Sequence, residues 1–398
     1  MAGYSPFDPA TLRDHARDYG RLLADERVSL FEGYDPPFYI LSRYDDVEAA
    51  LRNIAVFSSH QGQGPRYSPP SGLVCDPPSH TLHRGLVQQA FTPGAIRALA
   101  PRVESLTAAL LDAVADRLGF DIHDDFAFPL PVVIIAEMLG VPSQDIDRFK
   151  LWSDASVEAM GAEDPTAWLA ELEALGGYIL DEIRARRADA APPNDLITRM
   201  VVAESDGVRL DDLAIQGLVS QLLVGGNETT TSLITNVVWR LLEDRSLWER
   251  LVADPALVDR AVEESLRFDP PVLALYRTTT RAVTVRGVSI PEGAKVMLNY
   301  AAGNRDPAVF DDPDRFSLDR PPRKHLSFAM GIHVCIGAEM ARLEARTALR
   351  ALVARFPDLE LVDRGERIKP FFLWGRRRLP VRRGPHRPSQ GNGIHGNL

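Results

Sequence analysis

Cys335 stands in the run Phe328-Ala-Met-Gly331-Ile-His333-Val-Cys335-Ile-Gly337-Ala-Glu-Met-Ala-Arg342. A lone cysteine is more often an inert core thiol than a ligand, so its neighbours decide the reading. Gly331 and Gly337 permit a tight loop and a close approach of the backbone to something flat. A helical pattern follows, and the amides at a helix N-terminus, aimed back at sulfur, favour thiolate over thiol. His333 adds a hydrogen-bond donor two residues away. A reactive or ligating thiolate is the chemistry these residues could support.

A second constellation lies in Gly225-Gly226-Asn227-Glu228-Thr229-Thr230-Thr231. Two adjacent glycines inside a helix cost about 2 kcal/mol relative to alanines. Either they let another helix pack closely, or the helix passes close to a ligand and its hydrogen-bond ladder opens there. In the second case the acid of Glu228 and the hydroxyl of Thr229 sit at the gap, where they can move protons. Counting back from Thr229 by four reaches Gly225 and Gln221, with Leu222 and Gly226 adjacent. Two further pairs have helical spacing. Glu264 and Arg267 share a face at i, i+3, and His80 and Arg84 at i, i+4. The latter reads, on its own, as a surface helix start with a basic face.

The elements that must position these groups are mostly helices. Apolar periodicity predicts helices over Thr92–Leu118, Asp211–Glu243, Trp248–Phe268 and Gly337–Phe356. Asp211–Glu243 is apolar on nearly every side, as expected of a helix through the middle of a large fold. Phe38–Leu41 reads as a strand. Val283–Val285, Val288–Ile290 and Val296–Asn299 read as a meander, and Leu359–Val362 with Leu379–Val381 as a last small sheet. Asp189–Asn194 reads as a loop. One mainly α domain with small β-sheets is expected over 1–383, with a disordered Gly/Pro/His/Asn-rich tail over 384–398.

With 45 basic and 55 acidic residues, the formal charge is −10, which argues against a general nucleic-acid binder. Cys75 and Cys335 are the only cysteines, so a disulfide framework is excluded. No signal peptide is evident, and the longest apolar run, Phe126–Ala136, is short of a span and holds two prolines. A soluble cytoplasmic protein with reduced thiols is expected.

The cysteine run resembles the haem-binding loop of the cytochrome P-450 family, Phe-Gly-x-Gly-x-His/Arg-x-Cys-x-Gly followed by Ala-Arg. It departs at Ala329, where glycine is usual; alanine is strained there if the position needs a positive φ. The resemblance implies the P-450 fold, with haem b between the long central helix and the cysteine loop. It implies Cys335 as axial iron ligand and His80, Arg84, Arg277 and His333 as donors around the haem. Glu228 and Thr229 match the family's acid–alcohol pair for proton delivery. Glu264, Arg267 and Arg315, the last in Pro313-Asp-Arg-Phe316, match its buried ion triad. Leu273, Leu275, Phe371 and Phe372 join Gln221, Leu222, Gly225 and Gly226 as an apolar substrate pocket.

The matches fall in order from Asp76 to Arg342 with the spacing of soluble bacterial members. They imply a haem-thiolate monooxygenase that inserts one atom of dioxygen into a C–H or C=C bond of a small hydrophobic molecule. A peroxide-driven peroxygenase and a non-catalytic docking domain are the alternatives; each tends to lack a residue that is present here. A monomer is expected, served by a ferredoxin and an NAD(P)H-dependent ferredoxin reductase. Residues 315–355 carry eight basic and three acidic side chains, which predicts a positive patch for an acidic donor around Arg342 and Arg346.

Overall fold

The computed structural model describes residues 4–24, 28–162, 164–205 and 208–384. Its axis is the helix Asp212–Glu243, capped by the Asp211 carboxylate on the Ala214 amide. Nineteen of its residues are buried, including the unbroken run Thr230–Trp239. Helices Pro129–Leu139, Ile146–Gly161, Leu169–Ala188, Val258–Phe268 and Ala338–Arg355 pack around it. Burial on nearly every side is the physical counterpart of the apolar pattern read above.

The expected helix Thr92–Leu118 is Pro93–Ala113, with the Thr92 hydroxyl accepting from the Ala95 amide. The expected helix Trp248–Phe268 is two helices, Arg245–Ala253 and Val258–Phe268, with a 3-10 turn at Pro255–Leu257 between them. Pro255 cannot donate to the ladder and crowds the preceding turn, so the first helix ends before it.

A five-stranded sheet flanks the helices in the order Ser29–Phe31, Phe38–Leu41, Lys295–Asn299, Ala274–Thr279, Phe57–Ser58. This breaks the expected meander. Val283–Val285 and Val288–Ile290 form their own hairpin, whereas Lys295–Asn299 runs parallel to Phe38–Leu41 and antiparallel to Ala274–Thr279. All five residues of Lys295–Asn299 are buried, so the strand takes the centre of a larger sheet. In that register Val296 lies opposite both Tyr39 and Arg277, which fixes where the Arg277 side chain starts. Leu359–Leu361 and Pro380–Arg383 pair as expected, with Gly119–Asp121 as an additional edge. Gly384, expected to open the tail, donates its amide to Asp358 O at 2.8 Å; residues 385–398 lie outside the described residues.

Where Ala338–Arg355 crosses the central helix, it buries Glu344, 2% exposed, against Thr230. Glu344 makes no ion pair among the described residues. Burial raises its pKa from 4.5 to about 8, and the Thr230 hydroxyl opposes the shift. An acid raised in the folded state stays protonated where the unfolded chain is already ionised. Stability therefore falls as pH rises from about 4.5 to about 8 and levels off above. Glu344→Gln should come within about 1 kcal/mol of the native protein at pH 5 and gain roughly 4 kcal/mol on it by pH 9. Urea midpoints at both pH values check this; an equal offset at both would show that Glu344 does not titrate in this window.

Candidate active site

Regular structure is sparse between Asn304 and Gly337, with one 3-10 turn at Gly331–His333, so side-chain bonds must shape this approach to the cysteine. Glu264 is their hub. It takes Arg267 in a two-pronged pair at 2.8 and 2.9 Å, the Nε of Arg320 at 3.0 Å and the Ser317 amide at 2.9 Å. The third member of the ion triad is thus Arg320, in place of the expected Arg315. The Arg315 side chain is 71% exposed and stands 4.0 Å from Asp312; only its carbonyl joins the network, accepting from Arg267 and Arg320. The turn Ser317–Arg320 brings Arg320 back over Glu264, a geometry that motif spacing does not reveal. Asn304 then holds the Leu326 amide and the Ser327 hydroxyl, and Ser327 caps the Leu266 carbonyl.

Two residues of the cysteine loop adopt left-handed backbone. Gly331 has φ +74, and a Cβ there would meet Leu51 O at 2.8 Å, so glycine is required. Ala329 has φ +55, so its departure from the usual glycine carries the strain anticipated above, about 1–2 kcal/mol. A Cβ on Gly337 would meet nothing within 4 Å; this glycine borders open space.

Cys335 is a free thiol, accessible to solvent-sized contact, yet surrounded by enough protein that burial raises its pKa. The Gly337 amide, Arg84 and Arg342 oppose that rise but do not overcome it. The helix amides therefore do not by themselves make the thiolate; a cation bonded to sulfur would. Cys75 is also free, so no disulfide joins the two.

The expected donors gather nearby with differing partners. His80 and His333 stack edge to face, 4.4 Å between ring centres. Burial lowers the pKa of both, His333 to about 3, so both rings are neutral near pH 7. His333 Nε2 lies 3.3 Å from Ser59 Oγ, and His80 Nε2 is buried with no partner among the described residues. Arg84 donates to Val334 O at 2.8 Å, beside the cysteine. Arg277 is 1% exposed, donates to Tyr276 O and forms no ion pair among the described residues. Burial opposes the Arg277 charge, and Tyr300 and Asp76 offset that only in part, so Arg277 and the orphaned His80 could take a further anionic group. A flat iron-bearing group with carboxylates at its rim would be held by Arg277 and His80 at the carboxylates and by Cys335 at the metal: the donor set fits haem.

The central helix is continuous, so its ladder does not open at the glycines. The two glycines divide the two roles weighed for them. A Cβ on Gly226 would press Ile135 at 3.3 Å, so Gly226 serves helix packing, whereas one on Gly225 would meet nothing within 4 Å. Gln221, Gly225 and Thr229 form a partly accessible row, with Gly225 exposed and the other two half-buried; Val224 and Gly226 beside it are half-buried as well. Thr229 Oγ1 donates to Gly225 O at 2.6 Å. Glu228, turned away by about 100°, is 5% exposed and accepts from Ser232. Burial and the nearby Asp154 raise its pKa to about 7, so it holds or yields a proton near neutral pH. Asp154 pairs with Arg377 at 3.2 Å. Neither was foreseen, since they come from distant segments.

The expected pocket residues divide. Gly225 is exposed, and Gln221, Gly226 and Leu275 are half-buried. Leu222 belongs to the core shared with Leu218 and Ile135. Leu273, Phe371 and Phe372 are 5–6% exposed, with Phe371 packed 4.4 Å from the Phe7 ring. Val224, half-buried against the Phe371–Phe372 cluster, was missed because it lies one residue off the row counted from Thr229.

The expected positive patch is largely neutralised. Arg342 and Arg346 share Glu263, Arg350 pairs with Asp259, and Arg355 with Asp112. These acids come from outside residues 315–355, so a charge summed along the chain overstates the charge of the surface. Arg342→Glu would set two carboxylates against each other.

Ala329→Gly should relieve the loop strain. Glycine's larger unfolded-state entropy takes back about 0.4–1 kcal/mol, leaving a net gain of about 0.5 kcal/mol. Denaturant midpoints measure it. A less stable variant would mean that the methyl contributes more by packing than it costs in backbone strain.

Comparison with known proteins agrees with this geometry. Residues 169–375 match the family model described as Cytochrome P450. The chain is 41% identical over 355 residues to erythromycin C-12 hydroxylase of Saccharopolyspora erythraea, covering 85% of this chain and 87% of that one. It is 38% identical to cyclomarin C epoxidase of Salinispora arenicola, covering 89% and 92%. Its fold superposes on the structure of CYP109Q5 from Chondromyces apiculatus with a TM-score of 0.86 and 33% identity, over 96% and 98% of the two chains. With a deep thiol, an uncompensated Arg277 and an open row on the central helix, the chain belongs to the cytochrome P-450 family of haem-dependent monooxygenases.

Proposed function

We propose that Cys335 is the axial ligand of haem b and that the accessible row of the central helix lines a site for a small hydrophobic substrate. The observation that carries this reading is the accessible thiol near Arg277, which is buried with no ion pair among the described residues, and His80, whose Nε2 is buried with no hydrogen-bond partner among them. When bound, the haem activates dioxygen with two electrons and two protons, one atom entering the substrate and the other leaving as water. His80, Arg84, Arg277 and His333 hold and orient the cofactor. Thr229, its own proton engaged by Gly225 O, presents lone pairs that can order a water in the cleft. Glu228, with its pKa raised to about 7, can pass protons toward that water.

Residues 1–383 act as one domain in this reading. Electrons come from a ferredoxin and an NAD(P)H-dependent ferredoxin reductase, as in the soluble bacterial members resembled, and the protein works as a cytoplasmic monomer. No helix among the described residues is long and apolar enough to cross a membrane. Arg323 and Lys324 are exposed cations without an ion pair among the described residues, and are better placed than Arg342 or Arg346 to meet an acidic donor.

The reduced carbon monoxide difference spectrum of native protein and Cys335→Ser tests the axial assignment. Serine stays protonated near neutral pH and is a poor iron ligand, so the thiolate signature should vanish; its survival would overturn the assignment. Turnover with electron donors, set against turnover with hydrogen peroxide, separates the monooxygenase from the peroxygenase route.

Thr229→Ala should keep fold and haem, since alanine favours helix more than threonine. Thr230 and Thr231 cannot substitute, being turned away and engaged with Glu344, and with Ala127 O and Asn227, respectively. Product per electron pair should fall and released peroxide rise. Unchanged coupling would assign protons to a path that avoids Thr229.

A further inference from the structure

Gln221 stands in the accessible row, but its amide is not free to meet a substrate. Its Nε2 donates to Ser71 O at 2.6 Å, and its Oε1 accepts from the Leu73 amide at 2.6 Å. Both ends of one side chain thus grip a single tight turn. That turn is closed on itself, with Ser71 and Val74 exchanging backbone bonds at 3.2 and 2.8 Å. Its far side is held by the helix Ser79–Gln88: His83 Nδ1 donates to Gly72 O at 2.5 Å, and Cys75 Sγ lies 3.3 Å from the same oxygen.

Glycines mark how closely the parts meet. Gly72 has φ +51, and a Cβ there would lie 2.5 Å from Gln221 Oε1. One helical turn before Gln221, a Cβ on Gly217 would lie 2.5 Å from Ser71 Oγ. The turn is therefore seated on the central helix immediately N-terminal to Gly225 and Thr229. The chain leading into it, Tyr67–Pro70, is exposed, so the seat rests on these polar contacts together with Leu73, which packs against the core around Leu218, Val219 and Leu222.

We propose that Gln221 is a positioning residue that latches the Ser71–Val74 turn as a roof over the Gly225–Thr229 face, and that this latch sets the rate at which small molecules reach the site. The proposal rests on the reading of that face as the substrate side. The turn lacks a helix or sheet ladder of its own, so its opening is governed by Gln221 on one side and by His83 and Cys75 on the other. Gln221→Met keeps size and helix propensity and removes both hydrogen bonds. Gln221→Glu keeps the acceptor for Leu73 and replaces the donor to Ser71 O with an oxygen.

The test uses the full chain with haem. Hydrogen–deuterium exchange at residues 71–76 should accelerate about 10-fold or more in Gln221→Met, with a smaller increase in Gln221→Glu and none in the Pro129–Leu139 helix. In the ferrous protein, the bimolecular rate of carbon monoxide recombination after flash photolysis should rise several-fold in the same order. Unchanged exchange at 71–76 would overturn the latch. Faster exchange with unchanged recombination would overturn its role as a roof and leave the haem assignment standing. Loss of the thiolate signature in the native protein would instead sink the haem reading itself.

Discussion

One buried carboxylate carries the approach to the cysteine. Between Asn304 and Gly337 the backbone has almost no ladder to define it, yet it must deliver Cys335 to a fixed place at a helix start. Glu264 collects Arg267, Arg320 and the Ser317 amide, and Arg267 in turn binds the carbonyls of Asn304, Pro313 and Arg315. A single 11-residue helix thereby fixes a long irregular segment. Removing one partner of such a group would leave a buried charge uncompensated, which costs more than the pair contributes.

The site has the opposite electrostatics. Around Glu264 each charge has its counterpart; around Cys335 and Arg277 the nearby opposite charges, Arg84 and Arg342 for the one and Asp76 for the other, do not offset burial. Burial opposes both the thiolate and the guanidinium, and only a group that is cationic at sulfur and anionic at its rim relieves both. The imbalance is the physical form that cofactor specificity takes in the protein alone. Glu228 adds a third uncompensated group whose raised pKa suits proton transfer.

The central helix reconciles two demands. It must be apolar enough to run through the core, and one of its faces must border the reaction space. Gly226 lets Ile135 approach, while Gly225 leaves its side of the helix open. Glu228 and Thr229, adjacent in sequence, are turned toward different surroundings: the acid toward Asp154 and Arg377, the hydroxyl toward the accessible row. In the proposed reading the acid on one side and the alcohol on the other serve proton delivery while the helix stays continuous.

Much of this was legible in the residues. The apolar pattern of Asp211–Glu243, the Thr92 cap and the glycine-flanked cysteine before a helix are local signals, and local geometry follows from them. So does the strain at Ala329, because φ at that loop position depends on its immediate neighbours. The sheet was not legible as drawn: Lys295–Asn299 leaves the expected meander because burial on both faces favours the centre of a larger sheet. Arg320 replaces Arg315 beside Glu264, and Glu263 and Asp259 neutralise the expected basic patch, because ion pairs form between segments distant in sequence. Gln221 could be placed on the reacting face by counting turns, but its engagement with Ser71 and Leu73 follows from two segments meeting across 150 residues. Which residue types face the chemistry was thus determined by the sequence through helical period and turn preference; which partner each one finds was decided by the tertiary structure, since long-range electrostatics and packing act only after the chain has closed on itself.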